Sequence, residues 1–215
     1  MEIKWFGQSC FTIISNNGTR IVIDPFDKKI GYPLPDLEAD ILTTSHNHSD
    51  HNNVSIVRGE FKHLDKPGQY LESGISISGI STFHDSKGGI FRGNNMVFKY
   101  TMDDINVCHC GDLGHKFSTE QLVQIGSVDI LLLPVGGLAT INALAAVEVM
   151  EQLKPVITIP MHYRTKALGL LGYLFSPVEK FLSLSTRTTM TIKNLSLTKE
   201  DLETYRGIVV LDYRA

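Results

Sequence analysis

Apolar residues fall at every second position, or in short unbroken runs, through much of this chain, and that periodicity predicts strands. The expected strands in the first quarter are Glu2–Phe6, Cys10–Ser15 and Arg20–Asp24, the last two joined by an Asn17-Gly18 hairpin turn. An apolar run at Asp40–Ser45 follows. Ile75–Ile80 and Met96–Met102 read as further strands, and a turn at Asp103-Asp104 leads into Ile105–Cys110. Val128–Pro134 and Val156–Pro160 have the composition of short buried strands. In the second half strands alternate with helices. Ser118-Thr119-Glu120-Gln121 is a capping-box pattern ahead of Leu122, Val123 and Ile125. Asn142 is placed to cap an alanine-rich helix reaching Leu153, which Lys154-Pro155 ends because the residue before proline avoids helical geometry. Ser176-Pro177 supplies an N-cap and a first-turn proline for another helix. A last helix near Thr198–Tyr205 precedes a strand at Gly207–Asp212.

The length of 215 residues suits one domain, here taken as residues 1–215, since no linker, repeat or low-complexity tract divides the chain. The net charge is −3 with both signs mixed. No basic tract is present to grip a long nucleic acid, so a nucleic-acid partner is not expected. No apolar run approaches the ~20 residues needed to cross a bilayer, and no leader segment stands at the start. Three cysteines show no disulfide framework. The expectation is a cytoplasmic protein without membrane contact.

The polar segment that interrupts this pattern most sharply is His46-Asn47-His48-Ser49-Asp50-His51, at the end of the apolar run from residue 41. Imidazoles and a carboxylate are ligands for zinc, iron and manganese. If the chain stays extended past residue 45, residues 46, 48 and 50 face one way and His51 another, so one loop feeds two adjacent metal positions. The alternative is a polar surface loop that happens to be rich in histidine.

His-x-His-x-Asp-His is identified as the signature of the metallo-β-lactamase superfamily, and the remaining motifs of that family occur in order. They are Ile21-Val22-Ile23-Asp24-Pro25, Thr82-Phe83-His84-Asp85, Cys108-His109-Cys110-Gly111-Asp112 and Ile159-Pro160-Met161-His162-Tyr163. The wording around them, including Arg92-Gly93-Asn94-Asn95 and Pro134-Val135-Gly136-Gly137, resembles a compact branch similar to the ascorbate-phosphate lactonase. The resemblance implies an α/β fold, an αββα four-layer sandwich of two mixed β-sheets with metals at one edge. It implies two divalent metal ions, zinc in the first place, with manganese or iron compatible. His46, His48 and His84 would hold one ion, and Asp50, His51 and His162 the other. Asp112 would bridge them. A water between two cations ionises near neutral pH and needs no serine or cysteine nucleophile, and no Gly-x-Ser-x-Gly elbow is present.

Asp50, Asp112 and His115 are the candidate catalytic residues. Either His109 or His115 is expected near the site as an orienting group or proton donor, with a structural role the alternative. Asp24 reads as a support that orients the signature loop, or as a plain turn residue before Pro25. Asp85 either holds a ligand histidine or faces solvent. Cys108 and Cys110 read as core residues. Arg92, Asn95, Tyr163, Arg164 and Lys166 are candidates to meet substrate, each also compatible with packing or surface pairing. Gly136-Gly137 either lets the backbone approach a ligand or makes a turn. The apolar run 167–175 could form a pocket wall, a lid, an oligomer contact or ordinary core.

The functional expectation is a dinuclear metal hydrolase acting on a small anionic metabolite through a lactone, ester, amide or phosphodiester bond. A nuclease or phosphodiesterase of the same superfamily is the alternative. A mono-iron oxygenase or a non-catalytic metal-binding protein fits less well, because no ligand of the second site is missing. The expected partner is a small molecule, with a homo-oligomer left open.

Overall fold

The structure is a computed structural model and describes residues 1–213. Two large sheets carry the chain. One has six strands in the spatial order Leu195–Ser196, Glu2–Gly7, Cys10–Ile14, Arg20–Ile23, Ile41–Thr43 and Lys62–Leu64. The other has eight, in the order Thr189–Ile192, Gly207–Leu211, Ile157–Met161, Ile130–Pro134, Ile105–His109, Asn94–Met102, Ile75–Phe83 and Gly68–Glu72. Both are mixed. Antiparallel hairpins fill the early part of each, and parallel pairing takes over where crossovers intervene.

Period-two alternation explains how a strand buries both faces. Ile21, Ile23 and Ile41 point into the space between the sheets, where they join Trp5, Phe11, Val97, Tyr100 and Val107. Val22 and Leu42 point the other way, into a second apolar cluster with Phe26, Tyr32, Leu37 and Leu168. Three α-helices are present among the described residues: α1 (Thr119–Ile125), α2 (Ala143–Leu153) and α3 (Val178–Leu182). α1 packs on Ile75–Phe83, and α2 on Ile130–Pro134 and α3, so all three serve the eight-stranded sheet. The outer face of the six-stranded sheet is covered instead by 3₁₀ turns at Lys28–Ile30, Val54–Ile56 and Lys166–Leu174. The αββα layering therefore holds, with one outer layer reduced to short turns and a two-stranded ribbon, Leu37–Glu38 with Val57–Arg58.

The caps of α1 and α2 follow the sequence. Ser118 Oγ accepts from Gln121 N–H while the Gln121 side chain returns to the Ser118 N–H. Asn142 caps α2 through the Ala145 N–H. Two expectations are corrected. Pro177, not Ser176, is the N-cap of the five-residue α3, with no side-chain cap bond. The helix expected near Thr198–Tyr205 is a single 3₁₀ turn at Leu202–Tyr205, because Asp201 spends its carboxylate on the Thr198 N–H and hydroxyl instead of capping a longer helix.

The apolar run 167–175 departs furthest from core packing. It forms two 3₁₀ turns broken at Gly169, whose φ of +53° ends the first. Leu168 is buried, but Leu170, Leu171, Tyr173 and Leu174 are exposed, Leu170 at 87%. No helix among the described residues is long and apolar enough to cross a membrane.

Candidate metal centre

The strand Ile41–Thr43 ends just before the signature, and the chain then turns instead of staying extended. The N–H groups of His51 and Asn52 both reach the His48 carbonyl. That turn corrects the alternation expected for residues 46, 48 and 50. His46 and His48 still fall together, and His84 joins them from the end of Ile75–Phe83. Asp50 is rotated to the other side, where it meets His51, His162 and Asp112. Within each group the candidate ligand atoms lie within 4.8 Å of one another.

Asp112 joins the groups. Its Oδ2 lies 3.2 Å from His84 Nε2, 3.2 Å from His51 Nε2 and 3.3 Å from His162 Nε2. It is buried at the end of Ile105–His109, and its N–H donates to Asn95 Oδ1 at 2.8 Å. The Asn95 amide donates in turn to Thr82 Oγ1 and the Cys110 carbonyl. Asn95 was a candidate for substrate contact. Its side-chain oxygen and nitrogen hold the Asp112 turn and Thr82, and the residue also lines the cavity beside His46 and His48.

The non-ligating nitrogens of His46, His51 and His84 are fixed by donation, which turns their Nε2 toward the centre. His84 Nδ1 donates to the Ala139 carbonyl at 2.9 Å, and His51 Nδ1 donates to Asp24 Oδ2 at 2.8 Å. Ser45 Oγ spends its proton on Asp24 at 2.6 Å, so His46 Nδ1 must donate to that oxygen, at 3.0 Å. Asp24 also accepts from the Ser45 N–H at 2.7 Å. It sits at φ +46°, an unfavourable conformation for a non-glycine residue, and is wholly buried. The early aspartate thus orients the signature loop. Glycines bring backbone against two histidines. A Cβ on Gly114 would lie 2.3 Å from the His84 carbonyl carbon, and one on Gly136 would lie 2.0 Å from the His162 oxygen. Gly136 therefore serves close backbone approach to a candidate ligand.

Charge divides the two groups. Burial, with His51 nearby, lowers the His46 pKa to about 3, and burial with His84 lowers that of His48. Burial also disfavours charge on His51 and His162, but carboxylates outweigh it. Asp112 and Asp50 raise His51 well above the ordinary imidazole value, and Asp112 raises His162 to about 9. Asp112 and Asp50 are lowered, because His162 and His51 overcome the opposing effect of burial. Two ionised carboxylates in so closed a space call for positive charge close by.

The polar atoms themselves fit a cation. His46 Nε2, His51 Nε2 and Asp112 Oδ1 are buried and form no hydrogen bond, although Asp112 Oδ2 and Asp50 Oδ2 lie 3.2 and 3.4 Å from His51 Nε2. Unpartnered buried nitrogen and oxygen atoms, present in both groups, are what divalent ions satisfy.

A cavity of 460 Å³ opens beside the first group, lined by His46, His48, Asp65, Ser81, Arg92 and Asn94 among others. Arg92 is positioned by Asp85, whose carboxylate accepts the N–H groups of Lys87, Gly89, Phe91 and Arg92. Asp85 thus shapes the loop after His84 and holds no ligand ring. Arg164 is engaged with its own loop. Its guanidinium donates to the Gly172, Tyr173 and Phe175 carbonyls and lies over the Tyr173 ring, fastening the 166–174 turns. Tyr163 is buried against Trp5, with ring centroids 5.1 Å apart, and Tyr163 and Lys166 line a different depression.

His115, expected among the catalytic residues, is not brought to the cluster. Its Nε2 accepts the Phe83 N–H at 3.1 Å and its Nδ1 donates to the Lys116 carbonyl at 2.8 Å, so neither nitrogen is free to pass a proton. It braces the residue before His84. His109 is likewise tied to main chain, donating to the Ser9 carbonyl and accepting the Gly111 N–H. The three cysteines are free and buried, Cys108 and Cys110 in the core.

Gln8 was not singled out by sequence reasoning. It lies in the turn after Glu2–Gly7, 2% exposed, with its amide nitrogen 2.7 Å from His162 Nε2 and 3.1 Å from Asp50 Oδ2. A polar residue in a Gly-Gln-Ser turn carries no ligand signal, and only the three-dimensional fold brings it to the site.

Known proteins resemble this chain in sequence and fold. The profile of the β-lactamase superfamily domain matches residues 2–162. A metal-dependent hydrolase of Thermoplasma acidophilum is 31% identical over 191 residues, covering 77% of this chain and 84% of the relative. The crystal structure of a protein from Thermotoga maritima, assigned as a Zn-dependent hydrolase of the metallo-β-lactamase superfamily, superposes with a TM-score of 0.82. It is 37% identical and the match covers 98% of this chain and 97% of that one. An isothiocyanate hydrolase from Delia radicum gut bacteria shares the fold at a TM-score of 0.67 and 13% identity, over 98% of this chain and 96% of that one.

Proposed function

From the membership of this chain in the metallo-β-lactamase superfamily, as a metal-dependent hydrolase, we propose that it uses a pair of divalent ions to hydrolyse a small anionic metabolite. The observation that carries the two-ion reading is Asp112 Oδ2, which stands within 3.3 Å of imidazole nitrogens from both ligand groups. His46, His48 and His84 would hold one ion, Asp50, His51 and His162 the other, and Asp112 both. Zinc suits this donor set best, with manganese or iron compatible. Such a pair supplies the Lewis acidity that ionises a water near neutral pH and stabilises negative charge on the attacked group.

The protein's own residues supply order and access. Asp24 and the Ala139 carbonyl fix the rings of His51 and His84 before substrate arrives, so no reorientation is needed during reaction. Asp50 and Asp112 are held ionised, which makes them ligands and hydrogen-bond acceptors instead of proton stores. The cavity beside His46 and His48 is within the size range of small-molecule sites, and Arg92 at its wall suits a carboxylate or phosphate. A lactone, ester, amide or phosphodiester of a small acid fits that description. Partners beyond this substrate are not part of the proposal, and a cytoplasmic setting is the expected one.

The test is metabolite depletion. Metal-loaded protein and its Asp112→Asn variant are incubated with a small-molecule cell extract and the products read by mass spectrometry. Loss of an anionic compound with the gain of one water, by the wild type alone, supports the proposal. Identical profiles for the two proteins would sink it.

A further inference from the structure

Gln8 is held at a cost. Its φ of +50° lies in the left-handed region that a side chain disfavours and glycine tolerates. The backbone there has work to do, since the Gln8 carbonyl accepts both the His162 N–H and the Trp5 indole N–H at 3.0 Å. A glycine would perform that work without strain. The retained carboxamide points into the anionic ligand group, buried, with Oε1 lacking any hydrogen-bond partner. Strain kept at a functional site is evidence of a function for the side chain.

Donor and acceptor accounting shows what that function is. With its NH₂ toward the group, Gln8 donates to Asp50 Oδ2 and requires a bare lone pair on His162 Nε2. Oε1 and His162 Nδ1 are then both left buried without partners. A half-turn of the amide exchanges its oxygen and nitrogen with little change of shape. Oε1 then faces Asp50 Oδ2 and His162 Nε2, an arrangement that needs a proton on the imidazole or, once that proton is displaced, a cation among them. Two donor atoms that share one ion at bonds of about 2.1 Å lie about 3–3.5 Å apart. The Gln8 amide tip is 2.7 and 3.1 Å from its two neighbours.

We propose that the Gln8 carboxamide oxygen is a further, neutral ligand to the ion of the Asp50, His51, Asp112 and His162 group, reached by a half-turn of the amide. It adds a donor without adding charge, so that ion keeps its Lewis acidity while one coordination position is closed to solvent. The inference rests on the two-ion reading above.

The test is a Co²⁺ titration of chelator-treated protein, followed by visible absorption, on wild type and Gln8→Gly. Glycine accepts the positive φ, so this variant should melt no lower than wild type. One of its two equivalents should bind about ten-fold more weakly or worse, with stronger ligand-field bands as coordination number falls. Gln8→Glu, which keeps an oxygen, should retain both equivalents. If Gln8→Gly fails to fold, Gln8→Met replaces it as a variant of similar length without the oxygen. Two equivalents bound by the variant within two-fold of wild type, with the same spectrum, would overturn the role of Gln8 alone. A wild type that binds fewer than two equivalents would overturn the two-ion reading and this inference together.

Discussion

His46 and His48 bring two rings of lowered pKa to the wall of an open cavity, with His48 exposed, and the buried His84 completes their group. Asp50, His51, Asp112 and His162 bring two carboxylates to a closed interior where only Asp50 reaches the surface. On the proposed reading, the first group is the one that exchanges with solvent and substrate. The second is built to retain a cation, because charge buried that deeply must be matched close by. The supports differ in the same way. Around the second group stand a buried aspartate, a strained glutamine and a main-chain contact to His162. The first group relies on one serine oxygen and one carbonyl.

The strongest way to break this contrast is to remove the residue the groups share. Asp112→Ala should lose stoichiometric binding of both ions and hydrolytic activity by several orders of magnitude, measured by elemental analysis after gel filtration and by substrate turnover. Unchanged activity would exclude the bridging role. Asp24→Ala should act more on the carboxylate group, which it touches through His51, than on the other, which it reaches only through Ser45 and His46. It strands the Ser45 and His51 donors, at a cost of about 1–3 kcal/mol for each buried group left unpaired. The melting temperature should fall, and cation affinity of the carboxylate group should drop about 10–100-fold. Equal loss from both groups would show that the aspartate supports the whole loop and not His51 in particular.

Proton competition sharpens the contrast further. In chelator-treated protein His162 carries a proton up to about pH 9, which a cation must displace. Affinity of the carboxylate group should therefore rise from pH 7 toward pH 9, and His51, also raised, acts in the same direction. His46, lowered to about 3, and His48, also lowered, hold no proton above neutrality, so these two rings should add no comparable slope. Isothermal titration at several pH values, with proton release followed in parallel, reads both. The smallest effect belongs to Cys108→Ser. Its thiol lies in the core and joins neither ligand group, so metal content should stay at the wild-type value. A lost equivalent would make that sulfur a ligand.

How far the sequence reveals the site follows the physics of each residue. Ligand histidines and aspartates stand out because few structural needs call for them at such spacing. His46, His48, Asp50, His51, His84, Asp112 and His162 could all be named before any fold was known. Residues that act through a neutral amide or the main chain leave no such mark. Gln8, Asn95 and the Ala139 carbonyl gain their roles only when strands far apart in sequence are laid side by side. Histidine type alone misled at His115, since an imidazole between two main-chain groups serves as a brace. The same divide runs through the fold. Long alternating strands and well-capped helices were legible, including α1 and α2. Short edge strands such as Gly68–Glu72 and Thr189–Ile192 were not, because half their residues face solvent and blur the pattern. Apolar composition at 167–175 pointed to burial in part, but Gly169 and the Arg164 contacts fold it as exposed turns.

The most direct test of the account is electron paramagnetic resonance of protein loaded with two equivalents of Mn²⁺. A carboxylate shared by both ions couples their spins, so the wild type should give an exchange-coupled spectrum that Asp112→Ala abolishes. A wild-type spectrum equal to the sum of two isolated ions, or saturation at one equivalent, would contradict the claim that the two groups meet at Asp112.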